Sequence, residues 1–277
     1  MIPAKFAYAR AGSADEAIAL LGEHGDEAKV LAGGHSLVPL MKLRLATPSV
    51  LVDVSDVRDL SYVRDEGDHI AVGALTRHHD VEHSDVVRAA VPLLAAAAGH
   101  VGDPQVRHRG TLGGSLAHGD PASDLPAVVL ALGGTIVARG PGGERTIAAS
   151  DFFEGFLETA LAPDELVTEV RLRKTNGAGW AFEKFNRRAQ DWAIVGVAAV
   201  TGDRPGVALV NMGATPVRAT AVEEALASGA SAADAAEAAA EGTDPPSDIN
   251  ASPEFRRHLA RVLTARALDR AMQGGTP

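Results

Sequence analysis

Two short stretches decide the reading of this chain: Ala32-Gly33-Gly34-His35-Ser36-Leu37 and Thr111-Leu112-Gly113-Gly114-Ser115. Each is a double-glycine turn at the end of an element, followed by a small hydroxyl residue. Glycine lets the backbone take positive φ and lets a ligand approach it closely. Successive backbone N–H groups in such a turn form an anion nest, and a following helix adds the positive end of its dipole. Ser36, Thr111 and Ser115 would add hydroxyl donors. Two such turns, more than seventy positions apart, could clamp one diphosphate from two sides. Each turn taken singly is first of all a backbone device, so the ligand reading rests on the pair. Neither is a G-x-G-x-x-G fingerprint after a strand, and neither carries the Gly-Lys-Ser/Thr of a P-loop.

Around the first turn the pattern is strand, turn, helix, strand. Ser13 to Gly22 reads as a helix with Ser13 as N-cap and Glu16 completing a capping box. Ala28 to Ala32 reads as a strand, Ser36 to Leu45 as a helical segment and Val50 to Val54 as a second strand, a small α/β unit. Around the second turn, strands are expected at Ile70 to Leu75, Thr135 to Ala138 and Leu166 to Leu172. Helices are expected at Val81 to Ala98 and Pro121 to Leu132, with Gly99 to Ser115 as a long Gly- and His-rich connection. Lys174-Thr175-Asn176-Gly177 is a turn-rich break. Beyond it, strand-like runs at 181–185, 193–200 and 207–212 precede helices at 217–228, 232–240 and 253–272. Strands followed by helices describe an α+β layer with an antiparallel sheet. The expected division is 1–57, 58–174 and 175–277.

The chain has 277 residues, 46 % hydrophobic and 22 % charged, with a formal net charge of −10. That is globular composition, and the length suits roughly two domains. An acidic surface disfavours nucleic acid and anionic membranes. There is no cysteine, which excludes thiolate catalysis, disulfides and any iron–sulfur cluster held by this chain's own cysteines. The start shows no signal-peptide pattern and no apolar run reaches transmembrane length, so a soluble, cytoplasmic protein is expected. Histidines 78, 79 and 83 lie close together, and 100, 108 and 118 surround the second turn. No H-E-x-x-H occurs among them, and no metal site is expected. No G-x-S-x-G elbow offers a serine nucleophile.

With these residues in place, the sequence resembles the FAD-binding medium subunits of molybdenum hydroxylases, the carbon monoxide dehydrogenase and xanthine dehydrogenase family, and most of all its carbon monoxide dehydrogenase branch. The AGGHSL run at 32–37 with TLGGS at 111–115 matches that family's flavin signature. The DPASDLPA run at 120–127, the Ile2-Pro3-x-x-Phe6-x-Tyr8 start and Glu183-Lys184-Phe185 with Arg187-Arg188 match further segments. The resemblance covers essentially the whole chain. It implies an α+β fold: a two-subdomain FAD-binding region of the PCMH/VAO type, then an α+β C-terminal flavoprotein domain. It implies non-covalent FAD held by Ala32, Gly33, Gly34, His35, Ser36 and Leu37 and by Thr111, Gly113, Gly114 and Ser115. Asp124 then takes the place of a carboxylate that bonds the cofactor's hydroxyls, a role open to an acceptor-only group. Leu166 takes the place of an aliphatic residue near the flavin ring, and Lys184 that of a basic residue near it. Asp191 and Trp192 fall in a loop that brings an aromatic residue, more often Tyr in that family, to the flavin.

The same resemblance implies partners: an iron–sulfur small subunit with two 2Fe-2S clusters and a large subunit with the molybdenum cofactor, in a dimer of heterotrimers. The chain would then take electrons onto FAD and pass them to an external acceptor. The residues themselves leave other readings open. Asp124 also suits a helix-capping role, Trp192 a place in a core, and Arg187 and Arg188 a solvated strand end or a dock for an acidic partner. A stand-alone FAD-dependent oxidoreductase on the same fold would need an acid/base pair, and none stands out in 176–277. A scaffold that had lost FAD would not be expected to keep both sets of glycines and hydroxyls.

Overall fold

The computed structural model describes residues 2–274. The first unit is a parallel sheet of order β1-β3-β2, with β1 (Ala7–Arg10), β2 (Ala28–Leu31) and β3 (Val50–Asp53). Helix α1 (Ala14–His24) covers it with Ala17, Ile18 and Leu21. Ser13 caps α1 by accepting from the Glu16 N–H, while Glu16 Oε2 accepts from Gly12 N–H at 2.7 Å. The reciprocal arm of the box therefore lands one residue earlier than expected. Helix α2 (Leu37–Leu43) starts directly after the first glycine turn.

The middle unit is an antiparallel sheet of β4 (Val63–Asp65), β5 (His69–Gly73), β6 (Thr135–Gly140), β7 (Gly143–Ala148) and β10 (Leu166–Arg173), ordered β4-β5-β10-β6-β7. A small hairpin, β8 (Phe153–Gly155) with β9 (Glu158–Thr159), stands apart. The single helix expected at 81–98 is three: α3 (His78–His83), α4 (Asp85–Ala90) and α5 (Pro92–Gly99). Ser84 starts α4 by accepting from the Val87 N–H, and Pro92, with no N–H to give, can only start a helix and not continue one. The connection after α5 holds a further short turn of helix, α6 (Pro104–Arg107), and then α7 (Leu112–His118).

Helix α8 (Asp124–Ala131) is the spine of the molecule. All eight of its residues are buried, as a helix apolar on every side must be. It lies between the middle sheet's core and the third sheet, whose strands β11 (Trp180–Phe185), β12 (Val195–Val200), β13 (Gly206–Val210) and β14 (Val217–Arg218) form an antiparallel meander. The 217–228 segment thus opens as a strand before turning into α10 (Thr220–Ala227), while α9 (Ala149–Phe152) joins β7 to β8 in the middle unit. A short α11 (Ala232–Ala236) follows. The last helix, α12 (Pro253–Met272), spans the expected residues and packs Leu259, Leu263 and Ala267 onto β11 and β12. Among the described residues no helix is long and apolar enough to cross a membrane.

Candidate functional site

The two glycine turns lie side by side. A Cβ on Gly33 would stand 2.9 Å from Gly110 Cα and inside the Arg109 carbonyl group. A Cβ on Gly113 would stand 2.8 Å from Ala74 Cα. These glycines are therefore required where one backbone presses on another, and Gly34, at φ 77°, where the turn needs a left-handed residue. The second turn is fastened to the end of β5: Leu112 N–H donates to the Thr76 carbonyl at 3.0 Å and Gly113 N–H to the Ala74 carbonyl at 2.8 Å.

The turns differ in what they leave free. Thr111 is the N-cap of α7; its hydroxyl accepts from Gly114 N–H at 3.2 Å, and its carbonyl accepts from Ser115 N–H at 3.0 Å. The N–H groups of 112–115 are thus all engaged. In the first turn none of the N–H groups of Gly33, Gly34, His35 and Ser36 meets an acceptor among the described residues. The expectation of two equivalent nests is corrected to one donor cradle, at 33–36, beside a wall that contributes the Ser115 hydroxyl.

Both turns line one cleft of about 750 Å³, within the range of small-molecule and cofactor sites. All the residues expected from the sequence to hold the cofactor border it: Ala32 to Leu37 and Thr111, Gly113, Gly114 and Ser115 on two adjoining edges, Asp124, Leu166 and Lys184 deeper in, and Asp191 with Trp192 on the C-terminal side. Leu166 opens β10 and is buried. Trp192 is 55 % exposed, so it belongs to no core. Arg187 and Arg188 sit beyond the end of β11, exposed; Arg187 donates to Asn250 Oδ1 at 3.0 Å, and Arg188 pairs with Asp191 at 3.1 Å.

The strongest electrostatic feature is the pair Asp124–Lys184. Asp124 is the first residue of α8, not its cap, and its Oδ2 lies 2.7 Å from Lys184 Nζ. Both side chains are only 5 % exposed. Lys184 also donates to the His100 carbonyl at 3.0 Å. Burial pushes the Asp124 carboxyl up to about 6, and Lys184 works against that rise. Asp124 Oδ1 is buried without a hydrogen-bond partner among the described residues. A buried acceptor with no donor costs about 1–3 kcal/mol, so this atom is built to meet something.

Sequence reasoning missed two parts of the cleft. His78, the first residue of α3, lines it; burial drives its imidazole down to about 4, so it is neutral at pH 7, and its Nδ1 has no partner among the described residues. No spacing separates His78 from its neighbour His79; only burial does. The segment 157–165 forms another wall. The β6–β7 hairpin before it was also not read from the sequence, although Gly140-Pro141-Gly142-Gly143, a two-residue turn flanked by glycines, carries its signal.

A single cleft walled by all three sheets, with free amide donors at one end and a half-paired buried carboxylate deeper in, defines a cofactor-binding α+β protein. Residues 4–174 match the model of the FAD binding domain in molybdopterin dehydrogenase, and residues 180–271 that of the CO dehydrogenase flavoprotein C-terminal domain. The chain is 40 % identical to the carbon monoxide dehydrogenase medium chain of Hydrogenophaga pseudoflava over 282 residues, 98 % of each chain. It is 38 % identical to the caffeine dehydrogenase subunit beta of Pseudomonas sp. strain CBB1, covering 98 % of this chain and 96 % of that one. A solved structure of carbon monoxide dehydrogenase from Hydrogenophaga pseudoflava superposes with a TM-score of 0.95 at 40 % identity, covering all of both chains. The chain belongs to the family of FAD-binding medium chains of molybdopterin dehydrogenases.

Proposed function

We propose that this chain is the FAD-binding subunit of a molybdenum-containing hydroxylase or dehydrogenase, taking electrons from a 2Fe-2S partner onto FAD and passing them to an external acceptor. The observation that carries the reading is Asp124 Oδ1, a buried carboxylate oxygen on the cleft that lacks a donor. The free N–H groups of 33–36 fit the diphosphate of a dinucleotide, and Asp124 Oδ1 fits its hydroxyls. When bound, FAD supplies the redox chemistry, and the protein supplies position and electrostatics. Lys184 favours Asp124 as an ionised acceptor by opposing the rise that burial imposes on its carboxyl. Gly33 and Gly113 hold the cradle against its wall, Leu166 offers an apolar contact for a ring, and exposed Trp192 a stacking face at the mouth. His35, exposed in the first turn, is assigned to a non-covalent site.

The molybdenum cofactor and the 2Fe-2S clusters belong on this reading to a large molybdopterin subunit and a small iron–sulfur subunit, assembled as a dimer of heterotrimers in the cytoplasm. The division at 57/58 and 174/175 follows the borders between the three sheets. The test is direct. Purified protein is expected to carry one non-covalent FAD per chain, released by denaturation, and to turn over no substrate without partners. Colourless protein that takes up no FAD would refute the site; turnover by the isolated chain would favour a stand-alone flavin oxidoreductase.

A further inference from the structure

The structure gathers histidines that the cleft does not use. His79, Glu82 and His83 share one face of α3 at i, i+3 and i+4, and one ligand atom from each lies within 4.8 Å of the others. The order His79-Asp80-Val81-Glu82-His83 is the reverse of H-E-x-x-H and keeps its i, i+4 histidine spacing. We propose that His79, Glu82 and His83 form a binding site for a divalent transition-metal ion of the zinc class, on the face of α3 turned away from the FAD cleft.

Independent details of the surroundings support the site. His83 Nδ1 lies 2.9 Å from the His79 carbonyl oxygen. A carbonyl only accepts, so Nδ1 carries the proton and the lone pair sits on Nε2. Such a second-nitrogen bond to a carbonyl is the usual support of a metal-binding imidazole. His108, on the turn after α6, holds its own ring by Nδ1 to the Pro104 carbonyl at 2.6 Å and stacks on His79 with ring centres 4.0 Å apart. It acts as a positioning residue for the His79 ring. Arg107 Nε lies 2.9 Å from Glu82 Oε2 as an ion pair, yet Oε2 is buried without a hydrogen-bond donor among the described residues. Two imidazoles and one carboxylate suit zinc, nickel, cobalt or copper and not magnesium or calcium. The site also bridges two segments that frame the cleft, since α3 begins at His78, and Arg107 and His108 precede the Arg109–Gly110 backbone on which Gly33 rests.

The test uses the full-length protein, stripped with chelator and titrated with Zn²⁺ against a chromophoric chelator, with Mg²⁺ in parallel. The expected result is one Zn²⁺ per chain, no competition from Mg²⁺, and a rise in melting temperature with Zn²⁺. His83→Ala and Glu82→Gln are each expected to weaken binding by at least about tenfold, the lower bound for disturbing even a supporting group around a metal. His258→Ala, an exposed histidine on α12, is expected to leave binding unchanged. His83 is exposed, so its variant should fold, and its melting temperature without metal checks that. Failure to bind Zn²⁺, or equal loss in His258→Ala and His83→Ala, would overturn the proposal.

Discussion

Replacing Lys184 with Met removes the cation that pairs with the buried Asp124 carboxylate. In the wild-type chain burial raises Asp124 from its ordinary value of 3.8 to about 6. At 1.36 kcal/mol per pH unit, keeping it ionised at pH 7 costs about 3 kcal/mol. The sign follows from the direction: a carboxyl raised on folding adds stability at low pH, and that contribution is lost as pH climbs through about 6. Without Lys184 the carboxyl rises further, toward the neutral form at pH 7. This escape keeps the stability loss below the about 3–5 kcal/mol of breaking a buried pair outright. It also removes a charged acceptor from the cleft. A hydrogen bond to a charged group is worth about 1.5–3 kcal/mol, so FAD affinity should fall by about 10- to 150-fold at pH 7. The assay is fluorescence titration of flavin-free protein with FAD at pH 5 and pH 7.5. Wild-type affinity should rise across that interval as Asp124 ionises, and the Lys184→Met curve should be flatter. Equal affinity of the two proteins at pH 7.5 would refute the role given to the pair.

Gly33→Ala and Gly113→Ala should each lower melting temperature and flavin content together, because their Cβ atoms meet backbone. Gly114→Ala should be far milder, since it meets only the Thr111 hydroxyl at 2.7 Å; thermal melts and flavin-to-protein ratios rank the three. Tryptophan fluorescence should be quenched on FAD addition chiefly through Trp192 at the cleft mouth, and Trp192→Phe should remove most of that quenching while buried Trp180 stays bright. Arg256→Ala should destabilise by about 3 kcal/mol, measured by urea unfolding. Arg256 is fully buried, donates to the Ile194 carbonyl and pairs with Asp248 at 2.8 Å, which ties α12 to the third sheet.

What the sequence disclosed followed where local chemistry and tertiary packing agree. Ser13, Pro253 and the paired glycine turns carry their own geometry, so α1, α12 and the edges of the cleft were legible. The β2–α2–β3 part of the first unit was legible in its apolar runs, whereas β1 and its parallel pairing with β3 were not. The broken α3–α4–α5 run was missed because a long apolar stretch hides a serine cap and a proline start. The nest at 112–115 was overread, since the Leu112 and Gly113 N–H groups go to Thr76 and Ala74, remote in sequence, and those of Gly114 and Ser115 to Thr111 itself. His78 was missed for the same reason: its burial is set by packing against Gly110, not by its neighbours in the chain. The His79–Glu82–His83 face needed α3 to exist as a separate helix before its spacing had meaning.

The most direct measurement is a crystal structure of the chain grown with FAD. The account predicts the diphosphate on the free N–H groups of 33–36 and a cofactor hydroxyl within hydrogen-bond distance of Asp124 Oδ1. A flavin seated elsewhere, with those amides and that oxygen still unpaired, would contradict it.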